Sequence, residues 1–127
     1  MKELRTEDYR EHIVDSSGDI LSFTNGFTLE AFKADLRTQK AVVMSIIEIG
    51  EAATKIAASD PDFVAQNDDL PWSQMRGMRN RIAHGYFDID LDIVWQTVVS
   101  AIPTLNQQAE ALLDDLREGP EPDPSPN

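Results

Sequence analysis

Residues 35–58 read DLRTQKAVVMSIIEIGEAATKIAA, and the spacing of apolar residues within them decides the fold. Val42, Ile46, Ile49, Ala53 and Ile56 step by four and three, which puts them on one face of a helix. Val43, Ile47, Gly50 and Thr54 form a second stripe beside the first. A helix packed on one side needs a single stripe about 100° wide. The extra width predicts burial on a second side, by another helix or another subunit. Asp60-Pro61 is expected to end this helix.

The same periodicity extends outward in both directions. Upstream, Tyr9, Ile13, Ser16, Ile20, Phe23 and Phe27 make one stripe of a first helix, with Thr6 as its expected cap and Asn25-Gly26 as its stop. Thr28 reads as the cap of a short helix through Phe32. Downstream, residues 62–70 read as a polar loop, and Pro71 suits the first position of a helix running to about His84. Gly85 follows as its stop, and Asp88 or Asp90 as the next cap. Leu91, Trp95, Val98, Ile102, Leu105, Ala109, Leu112 and Leu116 form the stripe of a last helix, which Pro103 should kink. No period-two pattern or internal repeat interrupts this. The expected fold is all-α: an antiparallel four-helix bundle over residues 1–117 with one short extra helix. Residues 118–127, EGPEPDPSPN, read as a disordered acidic, proline-rich tail.

Composition narrows the chemistry. The chain of 127 residues has the length of one domain and contains no cysteine, so a disulfide or thiolate metal site is ruled out. The charged N-terminal residues do not read as a signal peptide, and no segment approaches the length of a bilayer span. A cytoplasmic location is expected. The net charge of −12 argues against nonspecific coating of nucleic acid, which depends on clustered Lys and Arg. Seven of the eleven basic residues nevertheless lie between Lys33 and Arg81. A local basic site on an acidic body suits selective contact with a phosphate group or a basic partner; acidity for solubility alone is the competing reading.

The stretch Arg79-Asn80-Arg81-Ile82-Ala83-His84-Gly85-Tyr86 concentrates the reactive side chains. A histidine moves a proton near neutral pH, and an arginine holds a phosphoryl oxygen in a fixed two-pronged geometry. On a helical wheel Met75, Met78 and Ile82 form the core stripe, and Asn80 and His84 share a polar face one turn apart. Arg79 falls beside the core stripe, where a guanidinium needs a partner; Glu48 and Glu51 are candidates. Two readings follow. Arg79 and His84 act on a phosphodiester, or Arg79 is a salt bridge locking the bundle and His84 an ordinary helix-terminal imidazole. Tyr86 alone reads as a rim aromatic and His12 as a surface residue. Two distant histidines without an inward carboxylate cluster give no metal site.

At these residues the chain resembles the HEPN superfamily, small helical bundles with an Arg-x4–6-His motif. More narrowly, it resembles the HepT-like (DUF86) ribonuclease toxins, whose pattern Arg-x4-His-x-Tyr is met by Arg79, His84 and Tyr86, with Asn80 at the polar position after the arginine. The similarity takes in Ile49-Gly50-Glu51-Ala52, Trp72, and Gly85-Tyr86-Phe87 with Asp90. The resemblance implies a homodimeric, metal-independent ribonuclease without a cofactor, the toxin of a type VII toxin–antitoxin pair. It implies neutralisation by a cognate minimal nucleotidyltransferase that transfers AMP to Tyr86. Arg79 and His84 would be catalytic, Asn80 supporting, and Arg76 and Arg81 would position RNA; neither DNA nor a membrane is an expected partner. The alternative class is a noncatalytic subunit that holds a nucleotide or presents a substrate to the nucleotidyltransferase.

Overall fold

The computed structural model describes residues 5–82 and 88–118, except the side chains of Arg79 and of residues 113–118. Within them lie seven helices: α1 (Thr6–Phe23), α2 (Leu29–Ala34), α3 (Leu36–Ser59), α4 (Pro61–Gln66), α5 (Trp72–Ile82), α6 (Leu91–Ser100) and α7 (Ile102–Glu118). The all-α expectation holds. α1, α3, α5 and the α6–α7 pair form the bundle: α1 packs on α3 and α7, and α5 packs on α3 and α6. Two short helices, α2 and α4, accompany the four, where one was expected. The tail expected from residue 118 lies outside the described residues beyond Glu118.

α3 is the spine. All five residues of its first stripe are buried, in one core with Ile13 and Ile20 of α1, Met75 and Ile82 of α5, and Ile102 and Leu105 of α7. Its second stripe divides. Val43 and Gly50 are buried, Ile47 is half-buried, and Thr54 is exposed. A Cβ built on Gly50 would stand 2.9 Å from the Met75 carbonyl oxygen, so α3 and α5 approach as closely as they do only because that side chain is absent. The second covering of α3 is therefore supplied in part by α5.

Local capping explains most boundaries. Thr28 accepts from the Ala31 N–H, Asp35 from that of Thr38, and Asp90 from those of Asp92 and Ile93. At α1 the expected cap is displaced by one residue. Thr6 is the first helical residue, Arg5 precedes it, and the Arg5 N–H donates to Asp8 Oδ2 at 2.9 Å. Phe23, expected on the buried stripe, closes α1 and is 41% exposed, because Thr24 and Gly26 (φ +79°) turn the chain there.

Three further expectations are corrected. Residues 62–70 are not wholly loop: Asp60 caps α4 through the Phe63 N–H, and Pro61 occupies its first turn. A pair read as a helix stop is thus also a helix start. α5 begins at Trp72, with Pro71 just before it accepting the Met75 N–H. The last helix is broken rather than kinked. Ala101 separates α6 from α7, since Pro103 has no N–H to offer the carbonyl of Val99.

Candidate active site

α5 carries Arg76, Arg79, Asn80 and Arg81, and its placement is set at both ends. At its start, the Trp72 indole N–H donates to the Asn67 carbonyl at 2.8 Å, and the Trp72 ring meets Phe63 edge-on with centroids 5.9 Å apart. In its middle, the close approach of Met75 to Gly50 fixes it on α3. At its end, the Asp90 N–H donates to the Ile82 carbonyl at 2.9 Å. That bond ties together the two described ends flanking residues 83–87, the stretch containing His84 and Tyr86.

Met75, Met78 and Ile82 are buried, as the wheel requires, and Arg76, Asn80 and Arg81 are exposed. The backbone of Arg79 lies in the last turn of α5, between buried Met78 and exposed Asn80. The Arg79 side chain, His84 and Tyr86 lie outside the described residues, so the geometry of the three-residue motif does too. Glu48 accepts the Ser16 hydroxyl at 2.9 Å, joining α3 to α1. Glu51 stands 3.8 Å from Lys55 of its own helix. Those are the described partners of the two carboxylates expected near Arg79. His12 is exposed, as expected of a surface residue. Among the described residues no cluster of His, Asp and Glu is placed to hold a metal ion, and no helix is long and apolar enough to cross a membrane.

Two surfaces remain, of which the sequence signalled the first in part, through Val43 and Ile47 of the second α3 stripe, and the second not at all. Leu36 (62% exposed), Met44 (56%) and Ile89 (37%) lie open to solvent. With Val43, Ile47 and Leu91 they line an apolar groove of about 560 Å³ along the outer face of α3. Met44 lies just beyond the second stripe, on the side away from the first, and an apolar residue flanking a stripe is the signal that was available. A separate pocket of about 390 Å³ opens between α5, α6 and α7. It is built from residues 69–108, on three helices and the turn before α5, and leaves no local sequence signature.

Arg10 is the other unforeseen feature. It is only 8% exposed, its guanidinium lies 4.1 Å from the centroid of the Phe63 ring, and Nε and Nη1 have no hydrogen-bond partner among the described residues. Burial pushes its pKa down, while Glu7 and Asp60 hold it up. It clamps α4 against α1 on the side of the bundle where Trp72 starts α5.

Comparison with known proteins covers most of the chain. The family model described as Ribonuclease HepT-like matches residues 13–112. A protein of Thermococcus cleftensis named "Probable ribonuclease HepT" is 36% identical, over 84% of this chain and 94% of its own length. A protein of Methanocaldococcus jannaschii named "Putative RNase MJ0127" is 34% identical, over 82% of this chain and 84% of its own. A third, from Caldanaerobacter subterraneus and named "Putative RNase TTE0752", is 30% identical over 83% and 91%. No solved structure matches.

Proposed function

The chain belongs to the HepT-like ribonuclease family, and from that premise we propose that it is a metal-independent endoribonuclease built around Arg79 and His84. The observation carrying the reading is that the family match spans the motif while α5 delivers Arg79, Asn80 and Arg81 on its final turn. Their helix is clamped at Trp72, Gly50 and Ile82, which suits chemistry that depends on fixed geometry.

In this reading one His84 takes the proton from a ribose 2′-hydroxyl. The freed oxygen attacks the adjacent phosphorus, and the bond to the 5′-oxygen of the next nucleotide breaks. That oxygen leaves with a proton from a second acid, and the product is a 2′,3′-cyclic phosphate. Proton transfer of this kind contributes on the order of 10²–10⁴ in rate. Arg79 stabilises charge gathering on the phosphoryl oxygens, and Asn80 orients the phosphate or the imidazole. A histidine cannot be base and acid at once, so the second acid is His84 of a second copy. The apolar groove of Leu36, Met44 and Ile89 supports such a pair, since it leaves large side chains in water. We assign the chain the toxin role in a cytoplasmic pair with a minimal nucleotidyltransferase, with AMP attached to Tyr86 as the neutralising modification. An added phosphodiester there would compete for the cations that hold substrate.

The net charge of −12 favours a second reading, a nucleotide-holding subunit without cleavage. RNA cleavage in EDTA that disappears in a folded His84→Ala protein is the expected result. Nucleotide binding without cleavage would favour the second reading. Co-expression with the cognate nucleotidyltransferase should add AMP-sized mass to the Tyr86 peptide, and Tyr86→Phe should lose it.

A further inference from the structure

The pocket between α5, α6 and α7 has the size and lining of a ligand site. Its volume of about 390 Å³ falls in the range that holds a small molecule. Met78 and Leu105, both buried, give it an apolar floor, and Gln74, Thr104, Gln108 and Arg81 stand around them. Gln74, Met78 and Arg81 are spaced by four and three, so one stripe of α5 supplies one wall. Gln108 donates from Nε2 to the Asp69 carbonyl at 3.1 Å. That bond settles which way its amide faces and leaves its Oε1 to accept. Arg81 is exposed and makes no ion pair with any described residue.

We propose that this pocket binds one ribonucleotide of the RNA substrate, its base over Met78 and Leu105 and its phosphate at Arg81. The proposal rests on the ribonuclease reading and adds a substrate subsite to it. Charge argues for a base pocket specifically. A protein of net charge −12 cannot draw much affinity from the phosphate backbone, because that affinity scales with the number of phosphates neutralised. Single-stranded RNA offers the other route: an unstacked base laid on a hydrophobic surface and read along its edge by hydrogen bonds. Two amides and a hydroxyl around an apolar floor provide both donors and acceptors for such an edge. Arg81 sits on the α5 stripe facing this pocket, three residues before His84 in the sequence.

The test uses the full chain and the four nucleoside 5′-monophosphates as probes, followed by NMR of the Gln74 and Gln108 side-chain amides. At least one of the four should shift both amides saturably at millimolar concentration. Thr104→Trp, which fills the mouth of the pocket, should weaken that binding by roughly tenfold or more. No shift with any of the four, or equal shifts with inorganic phosphate alone, would overturn the proposal. On RNA, Thr104→Trp should flatten the preference among nucleotides flanking the cut, and a preference left unchanged would also overturn it. If nucleotides bind but the wild-type protein cuts no RNA, the pocket stands as a nucleotide site and the ribonuclease reading fails.

Discussion

Replacing Gly50 by alanine sets two known effects against each other at one atom. Alanine is favoured over glycine in a helix interior by about 1 kcal/mol. The new Cβ, however, would lie 2.9 Å from the Met75 carbonyl oxygen, whereas ordinary contact begins near 3.4 Å. The obstacle is backbone, so α5 must retreat by about half an ångström, and overpacking of this kind costs roughly 1–3 kcal/mol. Gly77, in the middle of α5, is the control, because a Cβ there meets nothing within 4 Å. Gly77→Ala should raise stability by up to about 1 kcal/mol. The propensity gain is common to both variants, so the difference between them isolates the clash and should be about 1–3 kcal/mol in urea unfolding, with Gly50→Ala the less stable. In thermal unfolding that is a gap of roughly 4–12 °C for a chain of this size. Met75 lies one helical turn before Arg79, so Gly50→Ala should also lower RNA cleavage, by an amount larger than its stability loss explains. Equal stability of the two variants would refute the claim that Gly50 sets the position of α5.

Arg10→Met should leave stability unchanged or raise it by about 1 kcal/mol in urea unfolding, since burying unsatisfied donors costs about as much as the contact with Phe63 returns. A large loss would show that the guanidinium has a partner the geometry does not reveal. Asp35 has its pKa pulled down by hydrogen bonds from Thr38. Its capping contribution is therefore complete above the ordinary carboxylate range and fades as the pH falls through its depressed folded value. Asp35→Asn keeps an acceptor that does not titrate, so its stability should fall less steeply than wild type below about pH 4. Met44→Glu, which puts a charge in the exposed groove, should disrupt the proposed pair in light scattering and reduce cleavage with it.

The parts of the fold legible in the sequence are those fixed by local chemistry. Thr28, Asp35 and Asp90 cap helices because a side-chain oxygen two or three residues from a free N–H needs no distant partner. The buried face of α3 was legible for the same kind of reason, since a 3.6-residue period is written in the chain itself. Features made by distant segments were not. Arg10 looks like any charged residue of a surface helix until α4, more than fifty residues away, lays Phe63 against it. Asp60-Pro61 ends one helix and begins another, and only the path of the following chain distinguishes the two roles. The width of the α3 apolar face correctly signalled a second neighbour, but not that Gly50 would meet α5 while Met44 and Ile47 faced a groove. Of the candidate site, the sequence supplied the identities in the Arg79–Tyr86 stretch and the structure supplied the clamps on the helix that presents them.

Acid–base chemistry by His84 is proposed to cleave RNA through the 2′-hydroxyl, and the ends of the products test it most directly. Cleavage by the full chain in EDTA should leave 2′,3′-cyclic phosphates, or the 3′-phosphates they hydrolyse to, facing 5′-hydroxyl ends. A substrate carrying 2′-deoxyribose at the cut site should resist, and a folded His84→Ala protein should leave it and the all-ribose RNA equally intact. Products with 5′-phosphate and 3′-hydroxyl ends, or cutting at the 2′-deoxy position, would contradict the account.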